Sequence, residues 1–290
     1  MREQHPVQFA ICNEIFQGWS LDKTFHFAAS AGYDAVEIAP FTLAETVADI
    51  SADQREAIRE NAARAGIQIS GIHWVLVKPT GLYINHPDHS IRDRTRDYFC
   101  ELVDFCADIG GRFMVVGSPK QRNVMDGVSH GQAWQWALDT FREPVARAEK
   151  RGITLCLEPL SPVETNFINT AAQAIQFVQQ LESPHFKIIL DVKAMSSESK
   201  PITRIIQESA PHVGYFHAND PNLKGPGFGS VDFKPIAGTL TEIGYKGFVS
   251  VEVFNFDDGP EAIAQKSLDC LKTAFGRQET GPTEIPLFRG

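Results

Sequence analysis

At 290 residues, 43% hydrophobic and 22% charged, the chain has the make-up of an ordinary soluble enzyme, neither disordered nor fibrous. A formal net charge of −9 with no basic stripe argues against a nucleic-acid partner, because phosphate neutralisation needs clustered Lys and Arg. No stretch approaches membrane-spanning length, and residues 1–7 contain no apolar leader core. Five scattered cysteines, Cys12, Cys100, Cys106, Cys156 and Cys270, read as reduced thiols of a cytoplasmic protein.

In chain order one unit recurs: an amphipathic stretch, a glycine, then a short β-rich run. Gly32, Gly66, Gly110, Gly152 and Gly244 each fit the left-handed position just past a helix. The pattern predicts strands near 7–12, 35–38, 67–74, 113–116, 154–158, 187–191, 213–217 and 248–252. Helices fill the gaps. Ser51-Ala-Asp-Gln54 has capping-box form before a run to Ala65, Ser90 precedes the run 91–109, and the last helix is expected near 259–275. Eight strands alternating with eight helices make a (β/α)8 TIM barrel, α/β in class, as a single domain over residues 1–275. A doubly wound sheet would need a Gly-rich phosphate loop after its first strand, and Cys12-Asn-Glu-Ile-Phe-Gln-Gly18 is not one. Residues 276–290 form a polar Pro/Gly-rich tail, read either as a frayed terminus or as an arm on a neighbouring subunit in a homodimer or homotetramer. Long connections at 75–89 and 117–130 follow strands 3 and 4, on the side where barrel loops serve a site.

Four apolar runs end in a potential metal ligand: Thr154-Leu-Cys-Leu-Glu158, Lys187-Ile-Ile-Leu-Asp191, Val213-Gly-Tyr-Phe-His217 and Phe248-Val-Ser-Val-Glu252. The ligands are 33, 26 and 35 residues apart (191 − 158, 217 − 191 and 252 − 217), each about one βα unit. On successive parallel strands their side chains converge at the C-terminal mouth of the barrel. Three carboxylates and one imidazole favour one divalent ion, Mn²⁺ or Mg²⁺ first and Co²⁺ next, over a zinc site rich in sulfur and nitrogen. Such an ion, chelated by a carbonyl and its neighbouring hydroxyl, stabilises an enediolate, so the adjacent C–H becomes acidic. Glu158 and Glu252 are then the acid and base. The expected activity is isomerisation or epimerisation of a small-molecule carbohydrate next to a carbonyl. Proton abstraction followed by β-elimination, as in a lyase or dehydratase acting on a keto-sugar or keto-inositol, shares the first half and is the alternative.

These residues resemble the sugar isomerase/epimerase superfamily with the xylose-isomerase-like barrel, end to end. The order Glu…Asp…His…Glu is similar to that of the D-tagatose/D-psicose 3-epimerase group. The resemblance implies that Glu158, Asp191, His217 and Glu252 hold the metal, that Glu158 and Glu252 double as the acid/base pair, and that Glu164 contacts substrate. Two groups that grip the ketose in that family are replaced here, by Ala194 and Leu223. Their loss argues against a small free ketose and for a bulkier acidic or glycosylated keto-sugar. Lys193 or Lys224 could take their place, against the plainer reading of a solvated lysine. Around the mouth, Lys120 and Arg122 are substrate-binding candidates for hydroxyls or a carboxylate, with a solvated loop as the plain reading. His73-Trp74 offers a polar and stacking contact for a sugar ring, or is a packed strand end. Glu37 ends strand 2 and faces either substrate or structure, whereas His86 and His89 read as helix-cap residues. Phe254 and Phe256 either wall the pocket or cover the barrel end.

Overall fold

The computed structural model describes residues 7–277. Eight parallel strands close into a barrel in sequence order, with β8 returning to β1. They are β1 (Gln8–Cys12), β2 (Ala35–Ile38), β3 (Gln68–Ile72), β4 (Phe113–Val116), β5 (Thr154–Leu157), β6 (Phe186–Asp191), β7 (Val213–Ala218) and β8 (Phe248–Val251). The helices are α1 (Leu21–Ala31), α2 (Ala52–Ala65), α3 (His89–Asp108), α4 (His130–Arg151), α5 (Ala171–Gln179), α6 (Val192–Met195), α7 (Ile202–Ser209), α8 (Phe233–Glu242) and α9 (Pro260–Ala274). Among them α6 is a single extra turn directly after β6, which the strand–helix alternation did not predict. The Asp191 carboxylate creates it by capping the Ala194 N–H at 2.7 Å.

Local chemistry sets most boundaries. Ser51 and Gln54 form the reciprocal capping box expected for α2, and Gly66 closes that helix at φ 72°, a conformation any Cβ would strain. The start of α3 departs from expectation: Asp88, not Ser90, is the cap, and its carboxylate accepts the Ser90 N–H. A carboxylate is the better acceptor for an unpaired amide at a helix N-terminus. Of the tail at 276–290, only Gly276 and Arg277 are among the described residues. Arg277 folds back over the Phe9 ring at 4.3 Å, and the rest of that expectation lies outside the described residues.

Strand parity decides which side chains enter the barrel. Ala10, Ala35, Val115, Cys156, Ile189, Tyr215 and Phe248 pack together as one interior cluster. Two residues further along, each of these strands presents its top layer: Cys12, Glu37, Gly117, Glu158, Asp191 and His217 by the same step, with Ser250 and then Glu252 on the last strand. A much larger apolar layer lies between barrel and helices. All five cysteines are free thiols, and no helix among the described residues is long and apolar enough to cross a membrane.

Candidate metal centre

The four strand-end residues meet. Glu158, Asp191, His217 and Glu252 are all buried and offer ligand atoms that lie within 4.8 Å of one another. Glu158 and Glu252 stand one residue past β5 and β8, where their backbone N–H groups are still held by the Val116 and Ala218 carbonyls. Asp191 and His217 are the last register pair between β6 and β7.

His217 is oriented from below. Its Nε2 lies 3.1 Å from Glu37 Oε2. An ionised carboxylate can only accept, so Nε2 carries the proton donated there and Nδ1 is left facing the cluster. Nδ1 is 3.1 Å from Glu252 Oε2, yet the two are not aligned for a hydrogen bond and both are buried without a partner. Such atoms are costly unless something bridges them. A divalent cation fits this donor set of three carboxylates and one imidazole.

The charge balance points the same way. Burial, then the negative charges of Glu252 and Asp191, push the Glu158 carboxyl well above the usual carboxylate range. Burial and Glu252 likewise raise Asp191. For His217, burial alone would favour the neutral ring, but Glu252 and Glu37 outweigh it and hold the imidazole protonated well above its ordinary range. Without a cation, protons take the role of the missing positive charge; a bound dication would release them.

Two other groups could be read as ligand sets, Cys12–Glu14–His73, with Glu14 partly buried, and the buried Cys12–Glu37–His217. In the first, His73 Nε2 and Glu14 Oε1 already satisfy each other at 2.8 Å. In both, burial followed by the charge of Glu37 raises the Cys12 thiol, which keeps it from being the thiolate a metal would need.

Glu37 lies beneath the site. Tyr215 donates to it at 3.1 Å, and against burial the charges of His217 and His73 lower it to about 2. It is a permanent anion that holds two histidines, so of the two readings offered for it the structural one fits. His73 lines the inner pocket at the mouth together with Trp74, Gly117, Glu158, Glu164, Lys193, Glu252 and Phe254. Glu164 pairs with Lys193 Nζ at 2.7 Å, and that ammonium sits 4.0 Å above the Phe254 ring. Lys193, one residue before Ala194, is therefore part of the mouth rather than a solvated charge, whereas Lys224 pairs with Asp258.

Arg122 is a correction. Its guanidinium is 1% exposed and donates to the carbonyls of Glu158 at 2.6 Å and Val116 at 2.7 Å. Burial lowers its pKa to about 10, and it stays charged. It clamps the ends of β4 and β5 instead of meeting substrate. Lys120 is exposed on the short turn Pro119–Gln121 and does not line the inner pocket, whose lining takes in Pro119 from that turn.

Two contributors escaped the sequence reading. Asn219 is buried, donates to Asp191 Oδ2 and accepts the Lys193 N–H at 2.8 Å. Its signal was parity, two residues past His217 on the same face. Gly117 stands beside Glu158, one step beyond the register pair Val116↔Leu157. A Cβ there would lie 1.8 Å from Glu158 Oε2, so any side chain at this position would push that carboxylate aside.

Closed parallel strands with an acidic, histidine-bearing C-terminal mouth define a TIM-barrel enzyme scaffold. Residues 25–274 match the family model described as the xylose isomerase-like TIM barrel, and the chain belongs to that family. It is 28% identical to the D-psicose 3-epimerase of Ruminiclostridium cellulolyticum over 245 residues, covering 82% of this chain and 80% of that one. It is 27% identical to the 3-dehydro-D-guloside 4-epimerase of Escherichia coli K12 over 271 residues, covering 90% and 97%. Among solved structures, the Clostridium cellulolyticum D-psicose 3-epimerase crystallised with D-tagatose superposes with a TM-score of 0.81 at 22% identity, covering 92% of this chain and 99% of that one.

Proposed function

We propose that this protein is a divalent-metal-dependent epimerase or isomerase that moves a proton at a carbon next to the carbonyl of a keto-sugar. One observation carries the reading: four buried ligands meet within 4.8 Å at the catalytic end of a barrel whose relatives are sugar epimerases. Glu158, Asp191, His217 and Glu252 would hold the ion, Mn²⁺ or Mg²⁺ being the best match to an oxygen-rich set. When bound, the ion supplies Lewis-acid polarisation of the substrate carbonyl.

The remaining work falls to side chains. Glu158 and Glu252 line the inner pocket together and sit in unequal environments. Burial and like charge raise Glu158, while His217 holds Glu252 below its ordinary range despite burial. Carboxyl groups whose environments separate in this way suit an acid and a base. Glu252 takes the proton at the substrate carbon and Glu158 returns one. Glu164 and Lys193, locked together at the rim, offer a carboxylate and an ammonium to hydroxyl groups, and His73 offers an imidazole. Trp74 and Phe254 exclude water from one side.

The test is proton exchange. The Mn²⁺-loaded enzyme is incubated in D₂O with a panel of keto-sugars and followed by NMR. Deuterium entering next to the carbonyl with the skeleton kept supports the proposal. Exchange accompanied by loss of water or of a substituent would instead support the lyase reading. No exchange with any sugar at saturating metal removes both.

A further inference from the structure

The space directly in front of Glu158 and Glu252 is about 10 Å³, too small for a sugar. The cavity beside it measures about 850 Å³, within the roughly 300–1,000 Å³ typical of small-molecule sites. Trp74 and Phe254 line both, so the larger cavity is where the body of a substrate lies when its carbonyl end reaches the metal ligands. Two of its rings carry ammoniums, Lys23 3.3 Å from the Trp19 centroid and Lys193 4.0 Å from that of Phe254, and Lys193 also pairs with Glu164. Among the polar side chains of the lining, Asn13 donates to Thr42 and accepts the Ala39 N–H. Thr42 donates to the Ala39 carbonyl and Thr24 to that of Ser20. All of these bonds close within the protein. Glu14 differs.

Glu14 stands on the short turn Asn13–Ile15 directly after β1. The Asn13 bond to Ala39 ties that turn to the end of β2, so the barrel fixes its position. The Glu14 side chain is 9% exposed, and His73 is its ion-pair partner among the described residues. His73 Nε2 donates to Oε1 at 2.8 Å, while Oε2 is buried with no partner. A carboxylate offers about four acceptor positions, and a buried one left without a donor is costly. The last torsion of a Glu side chain is broad, so either oxygen can turn toward the cavity.

Resting on the keto-sugar reading above, we infer that Glu14 is a specificity-determining residue: it accepts a hydrogen bond from a substrate hydroxyl on the part of the sugar beyond the reacting carbons. Its position supports this. His73 lines the inner pocket and Glu14 the cavity, so their bond spans the junction between the two. A hydroxyl caught there fixes how far the carbon chain advances toward Glu158 and Glu252. Because a carboxylate only accepts, the site selects a donor and turns away a phosphate or carboxylate at the same carbon.

Two measurements on the Mn²⁺-loaded enzyme decide it. The first compares kcat/KM for the keto-sugar that exchanges fastest with those of its monodeoxy analogues. Removing one hydroxyl beyond the reacting carbons should cost the parent about tenfold or more, and Glu14→Ala about twofold or less. A purely structural Glu14 would instead lower every member of the series by a common factor and leave the ratios as in the parent. The second titrates D-glucitol, which has no carbonyl and cannot react, and follows tryptophan fluorescence, Trp19 and Trp74 being in the cavity lining. Saturable quenching should weaken about tenfold in Glu14→Ala and return to within about threefold of the parent in Glu14→Gln, whose amide oxygen still accepts a hydroxyl. Glu14-dependent binding without exchange on any keto-sugar would sink the epimerase reading and leave this assignment standing. Deoxy ratios unchanged by Glu14→Ala, or D-glucitol binding that is absent or indifferent to Glu14, would overturn it.

Discussion

Replacing Gly117 by alanine adds one methyl group against the carboxylate proposed to move protons. That methyl would stand 1.8 Å from Glu158 Oε2 and 3.0 Å from its Cδ. Real Cβ contacts essentially never fall below 3.0 Å, so the oxygen must retreat by at least 1.2 Å, the difference between the two distances. Gly117 is not among the glycines at positive φ, so alanine meets no backbone strain and the perturbation stays at the side chain. Glu158 cannot move as a whole, because Arg122 clamps its carbonyl and Val116 holds its N–H. Its side chain must therefore rotate. A staggered side chain forced about 30° off its well costs roughly 0.5–1.5 kcal/mol, whereas misplacing a reacting group by about 1 Å costs on the order of 10²-fold in rate. The expected result is a Gly117→Ala enzyme that melts within a few degrees of the parent, binds Mn²⁺ more weakly and exchanges substrate protons about 10²-fold more slowly. Melting curves, calorimetric Mn²⁺ titration and single-substrate kinetics read the three quantities. Turnover and Mn²⁺ affinity both within twofold of the parent would refute the placement of Glu158.

Glu158→Gln and Glu252→Gln keep shape but remove a proton-transfer group, so kcat at saturating Mn²⁺ should fall by about 10² or more, and near-normal turnover in either would free that residue from the acid/base pair. Exhaustive chelation should lower the melting temperature and abolish exchange, with Mn²⁺ restoring both, because a ligand of the native state stabilises it by mass action; an unchanged melting curve would exclude the metal site. For the metal-free protein, Glu158 is raised from an ordinary 4.5 to about 8. The folded state thus holds a proton that the unfolded chain gives up, and stability should fall as pH rises from about 4.5 through 8. Urea titrations across that range check the sign, and a rise in stability would contradict it. Arg122→Ala removes a buried charged donor from two carbonyls, each such bond being worth roughly 1.5–3 kcal/mol, so a clear drop in melting temperature is expected, while Lys120→Ala should leave melting and kcat/KM within twofold; the reverse pattern would restore both as substrate contacts.

The barrel was legible from the sequence because its signals are local. Glycines such as Gly66 and Gly152 mark helix ends through a conformation that only glycine adopts cheaply, and Ser51 with Gln54 marks a helix start. Eight repeats of that grammar admit one simple closed solution. The four proposed ligands were legible for a related reason. Each ends an apolar run, and parity along a parallel strand carries the last side chain inward without knowledge of its neighbours. What needed the third dimension was everything set by a neighbouring chain segment. Arg122 looked like a cation offered to substrate, yet its turn folds under the ends of β4 and β5, where the carbonyls of Val116 and Glu158 accept its guanidinium. Lys193 looked like solvent-facing charge until Glu164 and Phe254, far along the chain, closed around it. Glu37 proved to be the support of His217 across 180 residues. Gly117 carried no motif at all: its role is empty space beside a carboxylate from the next strand. Periodicity records which way a side chain points, while packing alone decides what it meets there.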